Sequence, residues 1–335
     1  MDEMDEQRAT RRPGAFDLLG PQAVIAAVEG VLETSVDGTV EPYNSYVNRV
    51  YGLRGDNGDH LVAKFYRPGR WSEEMILEEH AFLAELTAAE VPVVAPISDT
   101  DGETLFEIEL EGSGAPVTIP FAVFPRKGGR TFDAESDEDW FRLGAVVGRM
   151  HAVGRRVDAT HRLVLEPDWT RNYLDVLVRE RVIHPEFQDE FVGLCRETID
   201  RIAPSLEGVP QQRIHGDCHR GNILDRPGDG LMLIDFDDML QGPAVQDLWL
   251  LLPGRADDCG RELTMLLEGY EEFLPFDRSE LELIEALRVM RMIHFLAWRT
   301  VQRHDDWFRR QEPEWGNRAF WIRELEDLRD QIAAT

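Results

Sequence analysis

The segment RIHGDCHRGNILDR, residues 213–226, limits what this chain can be more than any other. Between His215 and Asn222 it sets two imidazoles, a carboxylate (Asp217) and a carboxamide (Asn222), with glycines at 216 and 221. The apolar pair Ile223-Leu224 follows at once, and the next apolar run, LMLIDFDD, presents a further carboxylate at Asp235. Asn222 lies five residues after Asp217 (222 − 217) and Asp235 eighteen after it (235 − 217). The two apolar runs predict a short hairpin, so the polar loop and Asp235 flank one small β element. Gly216 and Gly221 let the loop backbone come close to its neighbours.

The rest of the chain supplies the frame. Its 335 residues, 43% hydrophobic, are ample for a large core and suggest two domains or two lobes. No apolar run reaches the ~18 residues of a membrane span. The start, MDEMDEQRATRR, is charged and has no apolar stretch, which speaks against a secretory signal. Three scattered cysteines (Cys195, Cys218, Cys259) form neither a disulfide framework nor a zinc spacing, and suit a reducing cytoplasm. A net charge of −28 argues against nucleic acid or an anionic membrane as the main partner. Of 36 basic residues two are lysines, Lys64 and Lys127. Acid excess with little lysine fits adaptation to high salt, and a GC-rich genome produces the same exchange of lysine for arginine.

Residues 1–14 read as a disordered tail. PQAVIAAVEGVLE (21–33) has helical periodicity, with Pro21 at a first-turn position. SYVNRVYGL and HLVAKFYR read as strands around an Asn57-Gly58 turn. WSEEMILEEHAFLAELTAAE reads as a helix capped by Ser72. VPVVAPI is extended, and TLFEIEL and VTIPFAVF add two strands around a Gly-rich turn. Residues 15–126 therefore read as a strand-rich lobe with one prominent helix, and 127–335 as mostly helical, with PRKGGR as the linker. The helix EDWFRLGAVVGRMHAVGRR opens the second part, two more are expected between 171 and 208, and helices carrying Trp298, Trp307, Trp315 and Trp321 close it.

Transfer of a phosphoryl group from a nucleotide needs a carboxylate to take the acceptor's proton, oxygen ligands for Mg²⁺ and a cation on the phosphates. Protein kinases set the base Asp and a metal-binding Asn five apart on one loop, with a second metal-binding Asp later. Amide and carboxylate oxygens suit Mg²⁺. HGDCHRGN closely resembles the HGDxHxGN loop of the aminoglycoside phosphotransferase and choline kinase family, and IDFDD that family's counterpart of the kinase DFG segment. SYVNRVYGL, VAKFYRPGRWS, EEHAFLAEL and VPVVAP resemble a narrower bacterial group of cytosolic protein kinases within it. The likeness runs from about residue 15 to the C-terminal helices.

That resemblance implies an α+β, protein-kinase-like two-lobed fold. A small antiparallel-sheet N-lobe and a mainly helical C-lobe would hold ATP between them. Asp217 would be the catalytic base, and Asn222 and Asp235 the Mg²⁺ ligands. Lys64 would hold the α- and β-phosphates, oriented by Glu79, with Glu78 as the alternative. Ser45 would contact ATP, and the backbone of VFPRKG, Phe124 and Arg126 included, would meet adenine. Asp247 would brace the catalytic loop. The wider family phosphorylates small alcohols such as aminoglycosides, choline and homoserine, and the narrower group Ser/Thr hydroxyls of proteins; a monomer is implied. The segment DFDDMLQGP is short and has no A-P-E, so activation-loop phosphorylation is not expected.

Other readings stand beside this one. His215, Asp217 and His219 match an H-x-D-x-H metal cluster, although no further His-rich segment supplies partners for zinc. Asp235-x-Asp237 matches the nucleophile and acid pair of dehalogenase-type phosphatases. Lys64 could be a strand surface residue, and Arg126, Lys127 and Arg130 a solvated linker. A nucleotide-binding module without catalysis is disfavoured, because Lys, Asp, Asn and Asp are all present.

Overall fold

The structure, a computed structural model, describes residues 16–32, 34–45, 47–111 and 116–335. The expected disordered tail at 1–14 lies outside these residues, as do Tyr46 and the tip of the Gly-rich turn at 112–115. Contacts divide the chain into two units: Met1–Glu73, Ile97–Arg126 and Trp298–Asn317 in one, Glu74–Pro96, Lys127–Ala297 and Arg318–Thr335 in the other.

The smaller unit is built on an antiparallel sheet. Its strands are β1 (Val36–Tyr43), β2 (Arg49–Gly55), β3 (His60–Phe65), β4 (Phe106–Leu110) and β5 (Val117–Pro125), in the order β1-β2-β3-β5-β4. Helix α1 (Pro21–Leu32) packs Val24, Ala27 and Val28 into a core with Leu53, Leu61, Ala63, Phe65, Ile119, Phe121 and Val123. In β3 and β5 the core residues alternate with residues of the other face, as a period of two requires. Lys64 pairs with Ala122 and Val62 with Phe124, so Lys64 and Phe124 share the face turned away from α1. The expected turn is present with Gly58 at φ +88°, but Asn57 is not in the left-handed region: the loop is Asp56–Gly58, closed by Gly58 N donating to Gly55 O at 2.9 Å and Gly55 N to Asp59 O at 2.8 Å. β1 was not legible: Gly38 and Pro42 interrupt it, none of its residues is buried, and its register shifts between Val36 and Val40. Such irregularity is typical of an edge strand.

The larger unit contains most of α2 (Glu73–Ala88) and the helices α3 (Asp137–Gly154), α4 (Pro167–Arg179) and α5 (Gln188–Leu206). It continues through α6 (Val245–Trp249), α7 (Gly260–Glu271) and α8 (Ile284–Gln302), whose last residues belong to the smaller unit. The short helix Asp306–Gln311 (α9) lies in the smaller unit, and α10 (Arg318–Ile332) closes the larger one. Helix α3 begins at a capping box in which Ser136 and Asp139 exchange hydrogen bonds. Glycines bring α3 and α7 into backbone contact. A Cβ at Gly144 would lie 1.8 Å from the Leu266 carbonyl oxygen, and one at Gly269 would lie 1.9 Å from that of Phe141.

The polar segment is set in small β elements of this helical unit. β7 (Gln212–Ile214) pairs with β10 (Leu240–Gly242), and β6 (Arg130–Thr131), β8 (Ile223–Arg226) and β9 (Gly230–Leu233) form a three-stranded sheet. The Leu233 amide donates to the Pro92 carbonyl at 2.9 Å, which ties the extended VPVVAP segment to β9.

Candidate active site

β7 delivers the chain, fully buried, into the loop at His215. The amides of His215 and Gly216 need acceptors there, and Asp247, in the first turn of α6, supplies them. His215 N donates to its Oδ2 at 2.7 Å and Gly216 N to its Oδ1 at 2.9 Å. The second lone pair on Oδ2 meets His151 Nε2 at 2.9 Å, and His151 Nδ1 meets the Tyr270 hydroxyl at 3.0 Å. All these side chains are buried, and the carboxylate is stabilised by the bonds it accepts. Asp247 thus sits where a loop brace must. His151 and Tyr270 were not singled out from the sequence, because each lies in an ordinary amphipathic helix far along the chain.

Gly216 adopts φ +81°, and a Cβ on it would fall 2.1 Å from the Asp238 carbonyl oxygen. His215 crosses from the loop to the hairpin. Its Nε2 meets the Ile234 carbonyl at 2.9 Å and its Nδ1 faces the Asp217 amide at 3.3 Å. A carbonyl only accepts and an amide N–H only donates, so this imidazole is the neutral Nε2–H form. His219 Nδ1 accepts from Gly221 N at 3.0 Å. Neither ring nitrogen pair offers what a zinc site needs, which removes the H-x-D-x-H reading.

The hairpin explains the spacing of Asn222 and Asp235. Ile223 pairs with Leu233, and Ile234 N donates to the Asn222 carbonyl at 3.0 Å. Asn222 and Asp235 therefore stand at the open end of β8–β9, one at the beginning and one just past the end. Asn222 Nδ2 donates to the Asp217 carbonyl at 3.0 Å, which turns its Oδ1 away from the loop backbone. Asp235 is in the left-handed region, φ 64° and ψ 66°, a costly conformation for a non-glycine residue that is concentrated at functional sites. Two hard oxygen groups held this way fit Mg²⁺, which takes one or two protein ligands and completes its shell with water and phosphate. Phe236 is buried behind them, against His215 (ring centroids 4.4 Å apart) and Phe82 of α2 (5.9 Å).

Asp217 carries a contact the sequence did not reveal. Arg291 of α8 donates from Nη2 to its Oδ1 at 2.5 Å. Its Oδ2 lies 3.5 Å from His219 Nε2. Burial pushes the Asp217 carboxyl above the ordinary carboxylate range; Arg291 opposes this and Asp238 adds to it. The neighbouring Cys218 thiol is fully buried and pushed well up by the same desolvation, then by Asp247 and Asp217.

The two glutamates of α2 divide their work. Glu78 accepts the backbone amides of Thr160 (2.6 Å), His161 (2.9 Å) and Arg162 (2.8 Å). Glu79, buried, meets Arg162 Nη2 at 2.9 Å, and the same guanidinium donates to the carbonyls of Met75 and Asp237 at 2.7 Å each. Arg162 thereby joins α2 to the turn after Asp235.

In the smaller unit Lys64 is buried in β3, with its ammonium 5.1 Å from the centroid of the Tyr66 ring. Ser45 lies half-buried between β1 and β2. The loop after it is held by Arg67, whose Nε donates to Val47 O at 3.0 Å and whose amide donates to Asn48 Oδ1 at 3.1 Å. Arg67 in turn makes a two-pronged ion pair with the buried Asp305. The Arg126 amide donates to His60 O at 2.8 Å, and its side chain lies over Tyr43 and beside Glu41.

The profile of the phosphotransferase enzyme family matches residues 39–284. This chain belongs to that family. The phosphotransferase is 38% identical to stress response kinase A of Escherichia coli (strain K12) over 320 residues, covering 94% of this chain and 93% of the relative. It is 35% identical to the serine/threonine protein kinase RdoA of Salmonella typhimurium over 331 residues, with the same coverage. Among solved structures an amicoumacin kinase superposes with a TM-score of 0.73 at 18% identity, covering 98% of this chain and 96% of that one. The choline kinase LicA from Streptococcus pneumoniae superposes at 0.62 with 16% identity, over 94% and 98%. The fold is therefore the kinase-like one expected from the sequence, and the protein is a kinase. Among the described residues no helix is long and apolar enough to cross a membrane.

Proposed function

We propose that this phosphotransferase moves the γ-phosphate of ATP to Ser or Thr hydroxyls of proteins, with Mg²⁺, as part of a stress response in the cytoplasm. The observation that carries the reading is near-full-length similarity to relatives named stress response kinase A and serine/threonine protein kinase. Each alignment covers 94% of this chain. Three buried free thiols suit a reducing compartment.

In this reading Asp217 Oδ2 takes the hydroxyl proton as the acceptor oxygen bonds to the γ-phosphorus and the bond to the β–γ bridging oxygen breaks, releasing ADP. Its partly buried position makes it more basic than a surface carboxylate, which suits proton acceptance. Mg²⁺ bound to Asn222 and Asp235 would supply positive charge on the phosphate oxygens. Lys64 would supply a fixed cation to the α- and β-phosphates. Both glutamates are engaged within the larger unit, Glu78 by the 160–162 backbone and Glu79 by Arg162. Asp247, His215 and His151 hold the loop and take no part in proton transfer.

The test is incubation of the purified chain with γ-labelled ATP and Mg²⁺, a generic basic protein and a panel of amino alcohols. Acid-stable label on serine or threonine is the expected result. Label confined to a small alcohol would keep the mechanism and replace the acceptor class.

A further inference from the structure

The contact of Arg291 with Asp217 extends beyond loop bracing, because it chooses which carboxylate oxygen is left for the acceptor. Oδ1 is taken by a charge-assisted bond of 2.5 Å from Arg291 Nη2. Among the described residues nothing lies within hydrogen-bonding reach of Oδ2 except His219 Nε2, at the limit of 3.5 Å. The remaining Asp217 bonds are made by its backbone: its carbonyl accepts from Asn222 Nδ2 and His219 N, and its amide faces His215. The carboxylate is thus pinned through one oxygen and open at the other.

Arg291 is only partly covered, 29% exposed against 24% for Asp217. A guanidinium carries five N–H donors in a planar fork, and Asp217 takes one of them. The helix that carries it is fixed on the same side one turn later. His294 stacks on Tyr173 of α4 with ring centroids 4.6 Å apart, and Trp169 meets both rings at 4.8 and 5.0 Å. Arg288, one turn earlier, is turned to the Gly254 carbonyl and over Trp249. Arg291 alone of the three reaches the loop.

We infer that Arg291 is a positioning and specificity-determining residue. It presents Asp217 Oδ2 to the acceptor hydroxyl and offers its other N–H groups to an oxygen beside that hydroxyl. The acceptor class this selects is an alcohol with a neighbouring carbonyl or carboxylate oxygen, as in a serine or threonine within a peptide. An ammonium alcohol without such an oxygen gives the fork nothing to bind. The inference rests on the proposed role of Asp217 as base.

The test uses the full chain, dephosphorylated casein and ethanolamine as acceptors, and the variants Arg291→Gln and Arg291→Lys. The wild type is read first. Transfer to neither acceptor would sink the proposed function itself, before Arg291 is in question. With casein, Arg291→Gln should lower kcat/KM by about tenfold or more, with KM for ATP within about twofold and an unchanged melting temperature; Arg291→Lys should recover part of the loss. Three results overturn the inference. They are casein kinetics unchanged in Arg291→Gln, a loss shared equally with ATP affinity and thermal stability, and a wild type that prefers ethanolamine to casein.

Discussion

Gly216 cannot be exchanged, for two independent reasons: its φ of +81° and the Asp238 carbonyl that a Cβ would strike. Gly216→Ala should cost about 1–3 kcal/mol and displace the loop that carries Asp217, so activity should fall further than stability. Urea midpoints and initial rates measured together would check this, and an unchanged rate would refute it. At this scale, legibility followed chain distance. Asp217, Asn222 and Asp235 could be picked out because one loop and one hairpin hold them, and a hairpin's register is set by a few residues. Arg291 reaches the same loop from a helix, and His151, backed by Tyr270, supports it through Asp247. In RVMRMIHFL an arginine at helical spacing reads as a stem lying on the surface with its head in water. The partner that makes it different is 74 residues away.

Among the elements, α2 is the one whose attachment makes sharp predictions. Burial alone would raise the Glu78 carboxyl, and the bonds from Thr160, His161 and Arg162 overcome it, so it titrates below the ordinary glutamate range. A pKa lowered by folding means that the stabilisation is present above the unfolded value and lost as pH falls through the folded one. Glu78→Gln should therefore melt about 2–4 °C below wild type at neutral pH, with the gap closing as pH falls below ~4.3, the ordinary glutamate value. A gap independent of pH would show that the carboxylate charge does not hold the 160–162 backbone. A second element, the segment Trp298–Asn317, belongs to the sheet-bearing unit although it follows the helices in sequence. Asp305 reaches Arg67 from it, and Arg67 holds Val47 and Asn48. Asp305→Ala leaves a buried guanidinium uncompensated, a loss of about 3–5 kcal/mol. KM for ATP should rise before KM for the acceptor does, as titrations of both substrates would show. Nothing in the sequence pattern announces this pairing, since an Arg after one strand and an Asp 238 residues later share no local signal. Nor does periodicity reveal that α2 shares its contacts with the larger unit; β1 was hidden by its own glycine and proline.

For the whole molecule, charge outweighs every other long-range influence. At −28 the chain repels itself, and screening shortens that repulsion to ~10 Å at 0.1 M salt. The melting temperature should rise between low salt and molar KCl; indifference to salt would mean that the local ion pairs already neutralise the surface. The broad architecture was readable because a sheet-forming half and a helical half differ in hydrophobic period, and the loop between β7 and β8 carries its own spacing. The central claim is that this loop performs phosphoryl transfer with Asp217 as base, and one comparison tests it directly. Wild type and Asp217→Ala, shown by circular dichroism to be equally folded, are given γ-labelled ATP, Mg²⁺ and acceptor protein. The account predicts that transfer falls by about 10²–10⁴ while nucleotide binding persists. Transfer at the wild-type rate by Asp217→Ala would contradict it.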